Sequence, residues 1–309
     1  MMREQVLGID IGGTNTKFGI VNKRGEILVS GGMATTGHNT PAEFVAALKS
    51  ELGPLLQNHH ISGVGIGAPN GNYYTGEIKF APNLPWHGVI PMAALMQEAL
   101  GVKTALTNDA NAAAIGEMTY GAAKGMKDFI LVTLGTGLGS GFVANGQLIY
   151  GSDGFAGELG HVIAVRDGRM CGCGRKGCLE TYASATGIVR SAKEWLLASD
   201  NKSVLRHQQE ITSESIHAAA MEGDNMALDL FAYTGKILGQ TLADAIAITS
   251  PEAIIFFGGL ANAGELLFSH VQRHMEENLL NIYQNKVSLI MSALPGSDAA
   301  ILGASALAW

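Results

Sequence analysis

One pattern occurs twice in this chain: an apolar strand, a glycine-rich turn and two further strands. The first copy comprises Gln5–Asp10, Gly12-Gly13, Thr16–Asn22 and Gly25–Gly32. The second copy comprises Phe129–Leu134, Gly135–Gly141, Phe142–Ala144 and Gln147–Tyr150. Self-similarity of whole structural units constrains a fold more strongly than single elements do. The repeat therefore predicts two similar lobes that face each other, with one glycine turn from each lobe at the space between them.

The first glycine turn predicts a phosphate-binding nest, in which successive backbone N–H groups and hydroxyls surround an anion. Asp10 precedes this turn, where a Mg²⁺ ion that bridges phosphates needs an oxygen ligand or a group that holds its water. A Gly-Gly turn between strands is also a common hairpin, so the stretch by itself leaves both interpretations open. The candidate nucleotide-binding residues here are Asp10, Gly12, Gly13, Thr14, Asn15 and Lys17.

Two further glycine turns extend this prediction. The turn of the second copy contributes Gly135, Thr136 and Gly137, which would grip phosphates opposite the first nest. A third turn, Gly258-Gly259, ends a strand that starts at Ala253, and it is expected to lie against the nucleoside.

All three cysteines of the chain fall in one short stretch, Gly157–Glu180. Together with a histidine they form a His/Cys₃ set of the kind that closes a tetrahedral structural zinc site. Free or buried thiols beside an unrelated histidine are the alternative. The candidate zinc ligands are His161, Cys171, Cys173 and Cys178.

Three carboxylates accompany these motifs. Glu158 and Glu180 bracket the cysteine cluster, and a rigid knuckle would hold both at fixed positions, whereas solvated surface charge is the alternative for each. Asp109 lies between the strand Val102–Thr107 and an alanine-rich helix at Ala112–Tyr120. It is either a helix cap or a general base, and the local sequence favours neither.

One further candidate lies in the loop Ala81–Trp86, where Asn83 is either a ligand-binding residue or a turn residue.

Composition excludes several classes of protein. With 309 residues and 47% hydrophobic content, the chain can bury a sizeable core and form about two domains. Its net charge of −7 argues against nucleic acid or an anionic membrane as partner. We see no leader pattern at Met1–Glu4 and no apolar run that approaches a membrane span, which predicts a cytoplasmic protein.

The complete set of motifs resembles the ROK family (repressor, ORF and kinase) of bacterial sugar kinases over essentially the full chain. The motifs appear in the family's order: Asp10-Ile-Gly-Gly-Thr14, Asn108-Asp-Ala-Asn111, Leu134-Gly-Thr-Gly-Leu-Gly139, Gly157-Glu-Leu-Gly-His161 and Cys171-Gly-Cys-Gly-Arg-Lys-Gly-Cys-Leu-Glu180. One departure is Pro69-Asn70-Gly71, because the family pattern has glycine directly after the proline.

The resemblance implies an α/β, actin-like ATPase (ribonuclease H-like) fold with two lobes, each a mixed sheet flanked by helices, and a ligand cleft between them. Residues 1–109 and 297–309 would form the smaller lobe, and residues 110–296 the larger lobe with the zinc knuckle. The closing helix, expected at Ser297–Trp309, would return to the first lobe, with a hinge near Asp109 and Gly296.

The resemblance also implies an activity: ATP-dependent phosphorylation of a hexose at its 6-hydroxyl, with Mg²⁺ as the catalytic ion, structural Zn²⁺ and glucose as the favoured substrate. Asp109 would be the catalytic base. Sugar hydroxyls would be held by Asn83, Asn108, Asp109, Glu158, His161 and Glu180. A homodimer is expected.

Alternative substrates are N-acetylglucosamine, N-acetylmannosamine and fructose. A sugar-responsive repressor of the same family would need a DNA-binding segment ahead of Asp10, where only nine residues stand. An ATPase without a sugar site would leave Glu158, His161 and the cysteines unexplained.

Overall fold

The fold is described from a computed structural model, which covers residues 4–296 and 298–309. The elements of the first part of the chain are β1 (Gln5–Ile11), β2 (Asn15–Asn22), β3 (Ile27–Ala34), α1 (Pro41–Leu56), β4 (Ile61–Gly67), β5 (Gly71–Asn72), β6 (Glu77–Lys79), β7 (Val89–Ile90), α2 (Met92–Leu100), β8 (Thr104–Thr107) and α3 (Asp109–Tyr120). The remaining elements are β9 (Phe129–Leu134), β10 (Leu138–Ala144), β11 (Gln147–Leu148), α4 (Ala185–Ala198), α5 (Ser213–Met221), α6 (Asn225–Thr249), β12 (Ala253–Phe257), α7 (Glu265–Asn278), β13 (Ser288–Met291) and α8 (Ala299–Ala306).

Two five-stranded sheets of the same topology organise the described part of the chain. In the first sheet the strand order is β3-β2-β1-β4-β8, and in the second it is β11-β10-β9-β12-β13. In each sheet an antiparallel meander lies on one side of the leading strand and parallel strands lie on the other. The repeat in the sequence thus corresponds to two lobes, which confirms the two-lobed α/β fold. We call the part built on β1 the first lobe and the part built on β9 the second lobe.

The central strands are buried on both faces, which is why β1 and β9 read as nearly continuous apolar runs. In the first lobe, one face of the sheet packs on α1 and α2 around the fully buried Phe44 and Leu48. In the second lobe the core forms around α6, which packs along α7. Truncation of a ring such as that of Phe44 to alanine would cost roughly 3–5 kcal/mol.

Helix α8 follows the second sheet but packs on β1 and β4 of the first. It also crosses α3 closely, because a Cβ on Gly116 would lie 2.8 Å from the Cα of Gly303. This packing joins α3, which carries Asp109 at its first position, to the core beneath the first sheet. The expected closing helix is present over Ala299–Ala306, and its expected first residue, Ser297, lies outside the described residues, as do Met1–Arg3.

The structure differs from the sequence expectations at two places. β10 begins at Leu138, inside the expected turn, because Leu138 pairs with Leu134 and the Thr133 hydroxyl accepts a hydrogen bond from the Gly139 amide. In the segment 71–90 the sequence predicts only the loop Ala81–Trp86, whereas the structure also has the small sheet β5-β6-β7. Among the described residues no helix combines the length and the apolar character needed to cross a membrane.

Candidate active site

The N-terminus of α3 lies between the two lobes and carries Asp109. The cap of this helix is the neighbouring residue, since the Asn108 side chain accepts a hydrogen bond from the Asn111 amide at 2.7 Å. Asp109 lies in the first turn, and its carboxylate accepts a bond from the Ala110 amide at 2.8 Å. The capping role is therefore filled by Asn108, and the Asp109 carboxylate is available for other chemistry.

Asp109 is open to solvent, yet it lies deep among the surrounding elements. Burial raises the pKa of its carboxyl, and hydrogen bonds from backbone amides oppose this shift. A carboxylate with a raised pKa is a stronger base near neutral pH. The environment of Asp109 therefore suits a group that accepts a proton.

Asp10 lies at the end of β1, beside Asp109. Burial raises the pKa of Asp10 to about 6, the negative charge of Asp109 raises it further, and the Lys17 cation opposes both. Lys17 is the direct partner of Asp10 across β1 and β2. Two neighbouring carboxylates with one lysine form a site at which a bound cation would relieve charge repulsion.

The first glycine turn contacts the Asn83 loop. A Cβ on Gly13 would lie 2.5 Å from the Asn83 carbonyl oxygen, so this approach requires glycine. Gly12 closes the turn itself, because its amide donates to the Asn15 carbonyl at 3.0 Å. The other candidates of this turn, Thr14, Asn15 and Lys17, are exposed.

The second glycine turn contacts Glu180. A Cβ on Gly137 would lie 2.9 Å from Glu180 Oε2. The turn is held to α4, because the Gly135 carbonyl accepts from the Ala185 amide at 2.9 Å and the Thr136 carbonyl accepts from the Thr186 hydroxyl at 2.7 Å. A candidate phosphate nest and a candidate sugar ligand thus lie so close together that no side chain fits between them.

Asn83, Gly137 and Glu180 line one cavity of about 360 Å³. Because Asn83 belongs to the first lobe and Glu180 to the second, this cavity spans the cleft. Two more cavities, of about 480 and 200 Å³, continue from Thr136 along α5 to Gly259. Gly258 has φ 109° and lies against the end of β9, immediately before the second nest. The structure therefore places the second and third glycine turns side by side.

The His/Cys₃ set converges on one point. The potential ligand atoms of His161, Cys171, Cys173 and Cys178 lie within 4.8 Å of one another. The Cys173 and Cys178 Sγ atoms are 3.6 Å apart, and the Cys171 Sγ atom is 3.7 Å from His161 Nδ1. Two zinc–sulfur bonds of about 2.3 Å at a tetrahedral angle separate the sulfurs by about 3.8 Å. The spacing fits tetrahedral zinc and is far too long for a disulfide.

The predicted sugar-binding carboxylates adjoin this cluster. Glu180 Oε1 accepts from Cys171 Sγ at 3.0 Å and lies 3.7 Å from His161 Nδ1. Burial raises the pKa of Glu158; His161 lowers it, while Asp109 and Glu180 raise it. Glu158 therefore lies within electrostatic reach of both Asp109 and Glu180.

Sequence reasoning missed several residues on the walls of the cavities. Thr186 and Arg190 line both the cavity at Glu180 and the cavity along α5. They lie on α4. The sequence from Leu179 to Ala198 reads as one continuous helix, but the structure has a 3₁₀ turn at Leu179–Thr181 and then a helix capped by Ser184, whose hydroxyl accepts from the Gly187 amide at 3.0 Å. The serine cap before Gly187 was the available signal.

The departure at Asn70 has a structural explanation. Its φ is 52°, in the left-handed region that glycine favours and asparagine tolerates. The Asn70 Nδ2 group donates to the carbonyl of Lys79 at 3.0 Å. Asparagine therefore keeps the backbone conformation expected of glycine and adds a bond to the following strand.

A carboxylate that follows a helix cap, lies beside Asp10 of the first lobe and is within electrostatic reach of Glu158 of the second suits phosphoryl transfer from a nucleotide. The fold and site together define the class as an actin-like phosphotransferase, with a His/Cys₃ cluster beside its cleft. The chain belongs to the ROK family, whose model matches residues 6–309.

Known proteins of this family align over nearly the whole chain. A glucokinase of Halalkalibacterium halodurans is 34% identical over 96% of this chain and 92% of its own length. An N-acetylmannosamine kinase of Citrobacter koseri is 31% identical over 98% of each chain. The structure of a ROK family glucokinase from Streptomyces griseus, in complex with glucose and AMPPNP, superposes with a TM-score of 0.81 at 34% identity, covering 98% of this chain and 99% of that chain.

Proposed function

We propose that this protein transfers the γ-phosphoryl group of ATP to the 6-hydroxyl of a hexose, with glucose as the favoured substrate. The observation that carries this proposal is the position of Asp109. Its carboxylate is not the helix cap, and it lies deep between the lobes, next to Asp10 and to the sugar-site candidates. Similarity to glucokinases over the full chain, and to a structure solved with glucose and an ATP analogue, supports it.

In the proposed reaction, Asp109 accepts the proton of the sugar hydroxyl as that oxygen attacks the γ-phosphorus. The bond between the γ-phosphorus and its bridging oxygen breaks, and ADP leaves. The glycine turns at Gly12-Gly13 and Gly135–Gly137 would hold phosphates through backbone amides, and Gly258-Gly259 would lie at the nucleoside. The protein contributes mainly position and charge neutralisation.

Two metal ions are part of the proposal. Asp10 would hold Mg²⁺, and the bound ion would neutralise the charge of the phosphates. His161, Cys171, Cys173 and Cys178 would hold Zn²⁺ as a closed structural site. His161 uses Nδ1 toward the thiols, so its Nε2 stays available for a sugar hydroxyl.

Asn83, Asn108, Glu158 and Glu180 complete the proposed sugar site. We place the hinge between the lobes near Asp109 and Gly296, with the smaller lobe formed by residues 1–109 and 297–309. A cytoplasmic location and a homodimer remain predictions.

An ADP-release assay over glucose, mannose, fructose, N-acetylglucosamine and N-acetylmannosamine tests the proposal. We expect the highest kcat/KM for glucose. The second candidate is an N-acetylhexosamine kinase, which the similarity to the Citrobacter koseri enzyme supports. A preference for N-acetylmannosamine would establish that candidate, and ATP consumption independent of every sugar would refute both.

A further inference from the structure

Asn72 of the small sheet makes a hydrogen bond between the lobes. Its side chain is fully buried, and its Nδ2 group donates to the Asp153 carbonyl of the second lobe at 2.6 Å. Its Oδ1 atom accepts from the amides of Tyr74 and Thr75, both at 3.1 Å. Because both ends of a buried amide are used, loss of either partner would leave a polar group without a hydrogen bond.

Aromatic contacts surround this bond. Tyr73 stacks on Tyr150 with ring centroids 4.2 Å apart and an interplanar angle of 8°. The Tyr74 hydroxyl donates to the Gly151 carbonyl at 2.9 Å. Gly154, at φ 89°, packs directly on the Asn72 amide. We call this set the interlobe clasp: Asn72, Tyr73 and Tyr74 of the first lobe with Tyr150, Gly151, Asp153 and Gly154 of the second.

The clasp connects the two segments that carry sugar-site candidates. On the second lobe, the clasp residues 150–154 are followed within four positions by Glu158. The backbone on either side of Glu158 is held by Ser140, whose hydroxyl donates to the Gly157 carbonyl and accepts from the Leu159 amide. On the first lobe, β5 and β6 continue to the Asn83 loop, and Asn70 bonds across that hairpin. The relative position of Asn83 and Glu158 therefore depends on a short chain of direct contacts.

We propose that Asn72 is a positioning residue for the sugar site, which with the Tyr73–Tyr150 stack sets the place of Glu158 relative to the first lobe. This inference rests on the proposed hexose kinase activity. The clasp contains none of the candidate nucleotide-binding residues, so its loss should weaken sugar binding and leave ATP binding nearly unchanged.

Asn72→Asp is the most informative variant. The carboxylate keeps the acceptors for the Tyr74 and Thr75 amides, but it removes the donor to Asp153 and faces that carbonyl with a negative charge. We expect the KM for glucose to rise roughly tenfold, with the KM for ATP within about twofold of wild type. Tyr73→Ala should raise the glucose KM several-fold. Tyr73→Phe keeps the ring and serves as the matched control, with wild-type constants expected.

Hydrogen exchange provides a readout that does not depend on turnover. In Asn72→Asp we expect faster amide exchange across residues 150–158, with other segments unchanged. A glucose KM within twofold of wild type, a parallel rise in both KM values, or an equal effect of Tyr73→Phe and Tyr73→Ala would overturn the proposal. If the wild type phosphorylates no sugar, the proposed function fails, and unchanged exchange at 150–158 would then refute the clasp separately.

Discussion

Replacement of Asp109 by asparagine separates the two roles that the local sequence allows. Asparagine has the same shape as aspartate and can still accept the bond from the Ala110 amide. The helix cap is unaffected, because it belongs to Asn108. The variant therefore removes a proton acceptor and a negative charge while it preserves the contacts of the helix N-terminus.

The expected effects on stability and turnover differ widely. Loss of a negative charge in the first turn of a helix costs about 0.3–1 kcal/mol of folding free energy. The smaller desolvation cost of a neutral side chain offsets part of this loss, since burial disfavours the charged carboxylate. Loss of a general base lowers turnover by roughly 10²–10⁴-fold, and that range corresponds to about 3–5 kcal/mol of transition-state stabilisation.

The measurement is kcat from coupled ADP release with glucose, together with glucose affinity by calorimetry and the melting temperature. Asp224→Ala is a useful control, because Asp224 caps α6 through the Ala227 amide at 3.0 Å and lies in none of the cleft cavities described above. It should lose about 1 kcal/mol of stability and keep its turnover. Turnover of Asp109→Asn within tenfold of wild type would refute the assignment of Asp109 as base. A loss of turnover that disappears at temperatures well below the melting transition would instead support a structural role.

Three further predictions address the metal site, the nest and the pH dependence. Cys171→Ser, or a strong chelator, should release zinc, lower the melting temperature and raise the glucose KM; zinc-free active enzyme by metal analysis would contradict this. Gly137→Ala should raise the glucose KM several-fold with little change in stability, because the new methyl group displaces Glu180 Oε2, the mobile end of a side chain. The kcat/KM should fall as pH drops through about 6, where Asp10 takes up a proton. The pKa of Asp10 is higher in the folded protein than its unfolded value of 3.8, so protonation of Asp10 favours folding. This stabilisation is largest below pH 3.8 and is lost as pH rises through about 6. The melting temperature of Asp10→Asn should lack this pH-dependent change.

Much of the architecture follows from local sequence patterns. The duplicated strand and turn pattern predicts two lobes because each strand–turn–strand unit forms largely from its own residues. The start of α1 is local in the same way: the Thr40 hydroxyl accepts from the Glu43 amide at 3.1 Å, and Pro41 occupies the first helical position, where its missing N–H costs no hydrogen bond. The cysteine spacing predicts a metal cluster because chelation by a short, glycine-rich segment needs few distant contacts.

What the tertiary structure decides is which residues from distant segments meet. No local pattern shows that Asn108 rather than Asp109 caps α3, since either side chain could accept the amide bond. The contact of Gly137 with Glu180 joins segments that adopt their positions only when the second sheet and the knuckle pack together. The same holds for the bond from Asn72 to Asp153, which crosses the cleft. Sequence periodicity encodes which face of an element is buried, whereas these distances depend on how whole elements pack, and that is fixed only in the folded chain.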